Sequence, residues 1–124
     1  MILADTDVLI DYLADVQPST DLVREYIASD NLQTTAISCF ELLSGAGPGR
    51  RGDKVRTLVE AIPVLPLNRE AAVQAAKVRR TMTGSGSSIP MADSLIAGVA
   101  LANDLPLLTR NRKHFEAVEG LQLV

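Results

Sequence analysis

The chain is poor in the residues that usually announce a function. It has no tryptophan, two tyrosines, two phenylalanines, one cysteine and one histidine in 124 residues. Aromatic residues are 3% of the total, so Leu, Ala, Val and Ile must fill the interior, and an RNA binder that stacks bases on exposed rings is disfavoured. With Cys39 alone, an internal disulfide and a structural zinc site of cysteines are both excluded, which suits a reducing compartment. With His114 alone, paired-histidine metal sites are excluded and nucleophile–histidine chemistry is disfavoured. Positive charge is not in excess. The formal net charge is -3, which argues against a broadly basic nucleic-acid coat protein but leaves room for a nuclease whose acidic site a metal neutralises. No run reaches the roughly twenty apolar residues needed to span a bilayer. The N-terminus lacks the basic region of a signal peptide, and Asp5 and Asp7 interrupt its apolar run. The expectation is a soluble, cytoplasmic protein, with residues 1–124 forming a single domain.

What is present is a strand-and-helix alternation. Residues 1–5 read as a buried strand ending at Asp5, followed by a helix over 7–14. Gln17-Pro18-Ser19-Thr20 reads as a turn, and Leu22, Val23, Tyr26 and Ile27 as a helix to about Ala28. Leu32–Thr35 is the second strand. Ala36–Ser44 reads as a helix with Ile37, Phe40 and Leu43 as one core-facing stripe and Glu41 one position from it. The glycines from Gly45 to Gly52 end that helix. Val55, Leu58 and Val59 support another, and Ile62–Pro66 is a proline-bounded strand suited to a sheet edge. Asn68 is a fair cap for a helix running to about Met82, and Thr83–Ser88 reads as a flexible loop. Pro90–Ala102 is apolar almost all round, as a buried central helix is. Leu107–Thr109 is a brief strand, Arg110–Glu119 a loop or short helix, and Leu121–Val124 the last strand. The alternation predicts an α/β fold: a three-layer α/β/α sandwich around a mostly parallel sheet of four or five strands.

Three carboxylates interrupt apolar segments: Asp5, Glu41 and Asp93. In open α/β sheets ligands bind beyond the carboxyl ends of the strands, where Asp5 would sit. Asp5 also has a plainer reading, as a helix cap. Asp93 near a helix start is open to capping, to a salt bridge or to a metal. Clustered like charges repel unless a cation bridges them, and all-oxygen ligation favours Mg2+ or Mn2+. Such a site can activate water and stabilise a phosphodiester in transit.

Over nearly its full length the chain resembles the PIN-domain ribonucleases, and within them the VapC-type toxins. Ile2-Leu3-Ala4-Asp5-Thr6-Asp7-Val8-Leu9 looks like that family's first strand and first metal acid. Ile37-Ser38-Cys39-Phe40-Glu41-Leu42 looks like its second acid, Asp93-Ser94-Leu95-Ile96-Ala97 its third, and Leu107-Leu108-Thr109-Arg110-Asn111 with His114-Phe115 its closing motif. The resemblance implies a Mg2+- or Mn2+-dependent endoribonuclease that cuts RNA, forms a homodimer and is silenced by a cognate antitoxin. It implies Asp5, Glu41 and Asp93 as metal ligands and catalytic acids. Asn111 stands where many members carry a fourth acid, so it is expected to orient water. Thr6, Ser38 and Thr109 are candidates to hold the carboxylates or the water. Ser38 has helix capping as its alternative, and Thr6 and Thr109 have turn and strand-end bonding. Asp7 either helps the site or faces solvent. Arg50, Arg51 and Arg110 are candidates for contact with the RNA backbone, Arg110 the best of them. His114 is expected to be a loop or packing residue, and Asp11, Asp21 and Glu25 solvated helix surface. Cys39 is expected to fill core space. Asp104 reads as a turn residue.

Three other readings compete. A haloacid-dehalogenase-like metal-dependent phosphatase shares the opening Asp5-Thr6-Asp7, but it needs a downstream lysine and leaves Glu41 unexplained. A receiver domain needs an aspartate at the end of its third strand, where this chain has Val64-Leu65-Pro66. A non-catalytic α/β binding module tolerates the fold without explaining the acids.

Overall fold

The computed structural model describes all 124 residues. In chain order the elements are β1 (Ile2–Ala4), α1 (Thr6–Leu13), α2 (Ser19–Ala28), β2 (Leu32–Thr35), α3 (Ala36–Ser44), α4 (Arg50–Ala61), β3 (Val64–Leu65), α5 (Arg69–Gly84), α6 (Met91–Ala102), β4 (Leu107–Leu108) and α7 (Arg112–Phe115). The four strands form one parallel sheet in the order β3-β2-β1-β4. β1 is central, with Ala4 opposite Thr34 on one side and Leu108 on the other. β3 is an edge, as Pro63 and Pro66 require. The expected strand Leu121–Val124 is reduced to a single parallel bridge between Leu123 and Leu107, fixed by Leu107 N–H to Gln122 O and Val124 N–H to Leu107 O.

Side chains alternate across a strand, so each strand feeds two cores. Leu3 and Leu107 face one core, with Ala71, Val78, Ile96, Ala97 and Phe115 from α5, α6 and α7. Ala4 and Leu108 face the other, with Val8, Leu9, Val23 and Leu58 from α1, α2 and α4. The result is the α/β/α sandwich. α5 and α6 approach closely at Gly98: a Cβ there would lie 2.7 Å from Ala75 Cβ and would collide with the Ala71 carbonyl oxygen. Asn68 caps α5 by accepting from Ala71 N–H at 3.0 Å. That helix runs two residues past the expected end, so Thr83 and Gly84 belong to it rather than to the loop. Asp104 is a turn residue, with the left-handed φ of 54° that Asp tolerates. No helix is long and apolar enough to cross a membrane.

α3 departs from expectation. Phe40 is 69% exposed and Leu43 42%, and the buried positions are Ile37, Ser38 and Leu42. The spacing explains it. At 3.6 residues per turn each three-residue step falls about 60° short of a full turn, so Ile37 and Leu43 lie about 120° apart. Ser38 and Leu42, four apart, stay within about 40° of each other. Ile37 meets one core and Leu42 the other, so α3 covers the carboxyl end of the sheet.

Candidate active site at the carboxyl ends of β1, β2 and β4

Asp5 follows β1 directly and is 4% exposed. It takes the helix-cap reading and also stands at the carboxyl end of the central strand. Its Oδ1 accepts from Thr6 N–H at 2.7 Å at the start of α1, and its Oδ2 accepts from the Thr109 hydroxyl at 2.7 Å, just past β4. Burial pushes the Asp5 carboxyl up to about 6, and the negative charge of Asp7 adds to the rise. The bonds from Thr109 and Thr6 oppose the rise, and Asp93 adds a smaller push.

Asp7 does not face solvent. Its Oδ2 accepts from the backbone N–H groups of Arg110 at 3.0 Å and Asn111 at 3.1 Å, and lies 3.4 Å from Thr109 Oγ1. Its Oδ1 is buried and has no partner. Burial pushes its carboxyl above the usual range, against the Arg110, Val8 and Asn111 amides and the Arg110 charge. Asp11, one turn further along α1, is 6% exposed rather than solvated. It accepts from Ser19 Oγ at 3.1 Å and pairs with Arg110 Nη1 at 3.4 Å. Those partners come from α2 and from beyond β4, which the local sequence around Asp11 does not reveal. Arg110 is thus turned toward α1, with Nε 4.0 Å from Asp7 Oδ2.

Glu41 is exposed within α3, the helix that follows β2, and its Oε1 accepts from the Thr6 hydroxyl at 2.6 Å. Thr6 Oγ1 is also 2.8 Å from Ser38 Oγ. A hydroxyl carries one proton, so Thr6 gives its own to the carboxylate and receives one from Ser38. Ser38 therefore reaches Glu41 only through Thr6. The cap of α3 is Thr35, whose Oγ1 accepts from Ser38 N–H at 3.0 Å. Asp93, in the first turn of α6, pairs through Oδ2 with His114 Nδ1 at 2.6 Å. His114 is therefore more than a loop or packing residue. The signal available was its place as the only histidine, inside the closing motif. Asn111 is bound by its backbone N–H, to Asp7 Oδ2 and to Thr109 Oγ1 at 3.0 Å. Cys39 is half-buried.

Asp5, Asp7, Thr109 and Asn111 thus form one bonded group, and Thr6, Ser38 and Glu41 a second, joined through the Asp5–Thr6 peptide. Asp93 and His114 form a third. No three Asp, Glu, His or Cys side chains stand at the mutual spacing of a closed metal site. The donor set nonetheless fits a hard divalent cation. It is all oxygen, it sets Asp5 near the like charges of Asp7 and Asp93, and it leaves Asp7 Oδ1 without a donor. Beside it lies a cleft of about 600 Å³ lined by Ile10, Leu13, Glu41, Arg50, Arg51 and Lys54 among others. The lysines a phosphatase reading would draw on, Lys77 and Lys113, lie within α5 and α7 rather than at a strand end.

The PIN domain family matches residues 2–121. Among curated relatives, ribonuclease VapC10 of Mycobacterium tuberculosis is 33% identical over 98% of this chain and 91% of its own length. Among solved structures, VapBC-1 from nontypeable Haemophilus influenzae is 27% identical at a TM-score of 0.78, covering 100% of this chain and 97% of that one. VapBC2 from Rickettsia felis, bound to a DNA fragment from its promoter, shares the fold at a TM-score of 0.84 with 18% identity, covering 100% and 98%. The chain belongs to the PIN-domain family, in its VapC-type toxin branch.

Proposed function

We propose that this VapC-type protein is an endoribonuclease that hydrolyses RNA phosphodiester bonds with Mg2+ or Mn2+ held by Asp5, Glu41 and Asp93. The observation that carries the reading is Asp5: a carboxylate buried at the end of the central strand, with Asp7 and Asp93 close enough to raise its proton affinity. A protein keeps buried, mutually repelling acids where a cation is to come between them. Bound there, the ion would acidify an attacking water and offset charge on the phosphoryl oxygens. The chain's own residues do the positioning. Thr109 orients Asp5, Thr6 orients Glu41 with Ser38 behind it, and His114 orients Asp93. The Asn111 amide, on a loop fixed by its backbone, orients water. Arg50 and Arg51, exposed in the same cleft as Glu41, track the RNA backbone, while Arg110 chiefly braces the loop against Asp11.

A VapC-type toxin implies a protein antitoxin that silences it, and we extend this to a homodimeric toxin. Light scattering on the isolated chain should show a dimer at micromolar concentration, and a monomer throughout that range would count against it. The nuclease reading is tested by RNA cleavage with wild type and Asp93→Ala, each with Mn2+ or Mg2+ and after exhaustive chelation. Cleavage should require both the ion and Asp93. Activity surviving either loss overturns the reading.

A further inference from the structure

We infer that Asp7 is a fourth acid of this site, its Oδ2 docking the Arg110–Asn111 loop while its buried Oδ1 is reserved for the divalent cation. The inference rests on the metal-nuclease reading above. Asp7 and Asp5 share one hydroxyl: Thr109 Oγ1 is 2.7 Å from Asp5 Oδ2 and 3.4 Å from Asp7 Oδ2. The two carboxylates therefore flank the same point. The hydrogen bonds that hold Asp7 end on Oδ2, from the Arg110 and Asn111 amides at 3.0 and 3.1 Å, and the Arg110 guanidinium lies on the same side; the Val8 amide also favours the charged carboxyl. Oδ1 is shut off from solvent and has no hydrogen-bond partner. A buried, unpaired carboxylate oxygen is costly, and a native fold retains one where something else completes it.

Arg110 does not supply that completion. Its single charge is divided between two acids and lies nearer Asp11, at 3.4 Å against 4.0 Å for Asp7. Asp7 Oδ1 is left without a partner beside Asp5. A hard cation is the ligand that satisfies an unpartnered carboxylate oxygen next to a second carboxylate. A clamp alone would need only an acceptor for two N–H groups, which a neutral amide provides equally well.

That difference sets the experiment. Asp7→Asn keeps an oxygen to receive the Arg110 and Asn111 amides and removes the charge. Asn111→Asp returns a charge from the neighbouring position whose backbone Asp7 already holds. Mn2+ binding to the RNA-free protein is measured by calorimetric titration for wild type, each single variant, the double variant and Asp93→Ala. Metal-free melting serves as the check on folding. Asp7→Asn should weaken Mn2+ binding about tenfold or more, since even groups that only support a ligand change affinity by about that much. The double variant should recover most of that loss, and Asn111→Asp alone should change affinity by less than about threefold. Asp7→Asn that binds Mn2+ like wild type, or a double variant no tighter than Asp7→Asn, overturns the inference. Should Asp7→Asn not fold, a tenfold gain from Asn111→Asp alone overturns it. Loss of Mn2+ in Asp93→Ala with retention in Asp7→Asn sinks this inference and leaves the nuclease reading standing. A wild type that takes up no Mn2+ overturns both.

Discussion

His114 Nδ1 lies 2.6 Å from Asp93 Oδ2, joining α7 to the first turn of α6. The only histidine of the chain thus orients an acid of the candidate site. Removing such a partner leaves the acid in place but free to rotate. His114→Ala should lower RNA cleavage about 10- to 100-fold while leaving a folded protein. His114→Asn, which keeps a short N–H donor, should recover part of the loss. Cleavage rates at saturating Mn2+ check this, and an unchanged rate in His114→Ala would assign the pair to structure alone.

Asp5 gives metal-free stability a pH dependence of definite sign. Its folded-state value, about 6, lies above its ordinary 3.8, so the folded protein holds this proton more tightly than the unfolded chain does. The contribution is therefore fully present below about pH 4 and is lost as pH rises through about 6, by roughly 3 kcal/mol in all. Other carboxylates titrate in the same window, so the useful quantity is the wild-type stability minus that of Asp5→Asn. In chelator, urea unfolding should show this difference falling between pH 4 and 7. Saturating Mn2+ should abolish the fall, because the cation stabilises the charged form.

Thr109 donates its one hydroxyl proton to Asp5, with its Oγ1 3.4 Å from Asp7 Oδ2, and it is buried. Thr109→Val preserves shape and leaves Asp5 Oδ2 without its donor. Metal-free stability at neutral pH should drop by about 1–3 kcal/mol. Thr109→Ser should restore most of it. Chemical denaturation of the three proteins decides the matter.

Gly98 tests the fold apart from the site. A methyl group there meets the Ala75 side chain and the Ala71 carbonyl across the α5–α6 contact. Backbone on one side and a short side chain on the other leave little room to yield. Gly98→Ala should cost about 1–3 kcal/mol or more, against the small gain Ala normally brings to a helix. A melting temperature at or above wild type would contradict the close crossing.

Local chemistry made much of this structure legible. The apolar run into Asp5, the Asn68 cap, the proline-bounded edge strand and the apolar helix carrying Asp93 each signal themselves within a few residues. The misreadings share a different origin. The stripe Ile37–Phe40–Leu43 counts steps of three and ignores their drift around the helix. Asp11 looks like surface because its partners, Ser19 and Arg110, are 8 and 99 positions away in a chain numbered from 1 to 124. His114 gives no local sign of Asp93, 21 residues earlier. Strand Leu121–Val124 has a strand-like sequence, but only Leu123 pairs, in a single bridge to Leu107.

The bond between Thr109 and Asp5 closes a span of 104 residues. One flank of β1 stays bare until β4 has emerged and found it, and the hydroxyl that steadies Asp5 arrives only then. Contacts so distant along the chain form late in folding. A ribosome still making the last tenth or so of this protein therefore carries a chain whose candidate site is not yet assembled. On the proposed nuclease reading, synthesis itself leaves an interval in which the nascent chain spares the RNA around it.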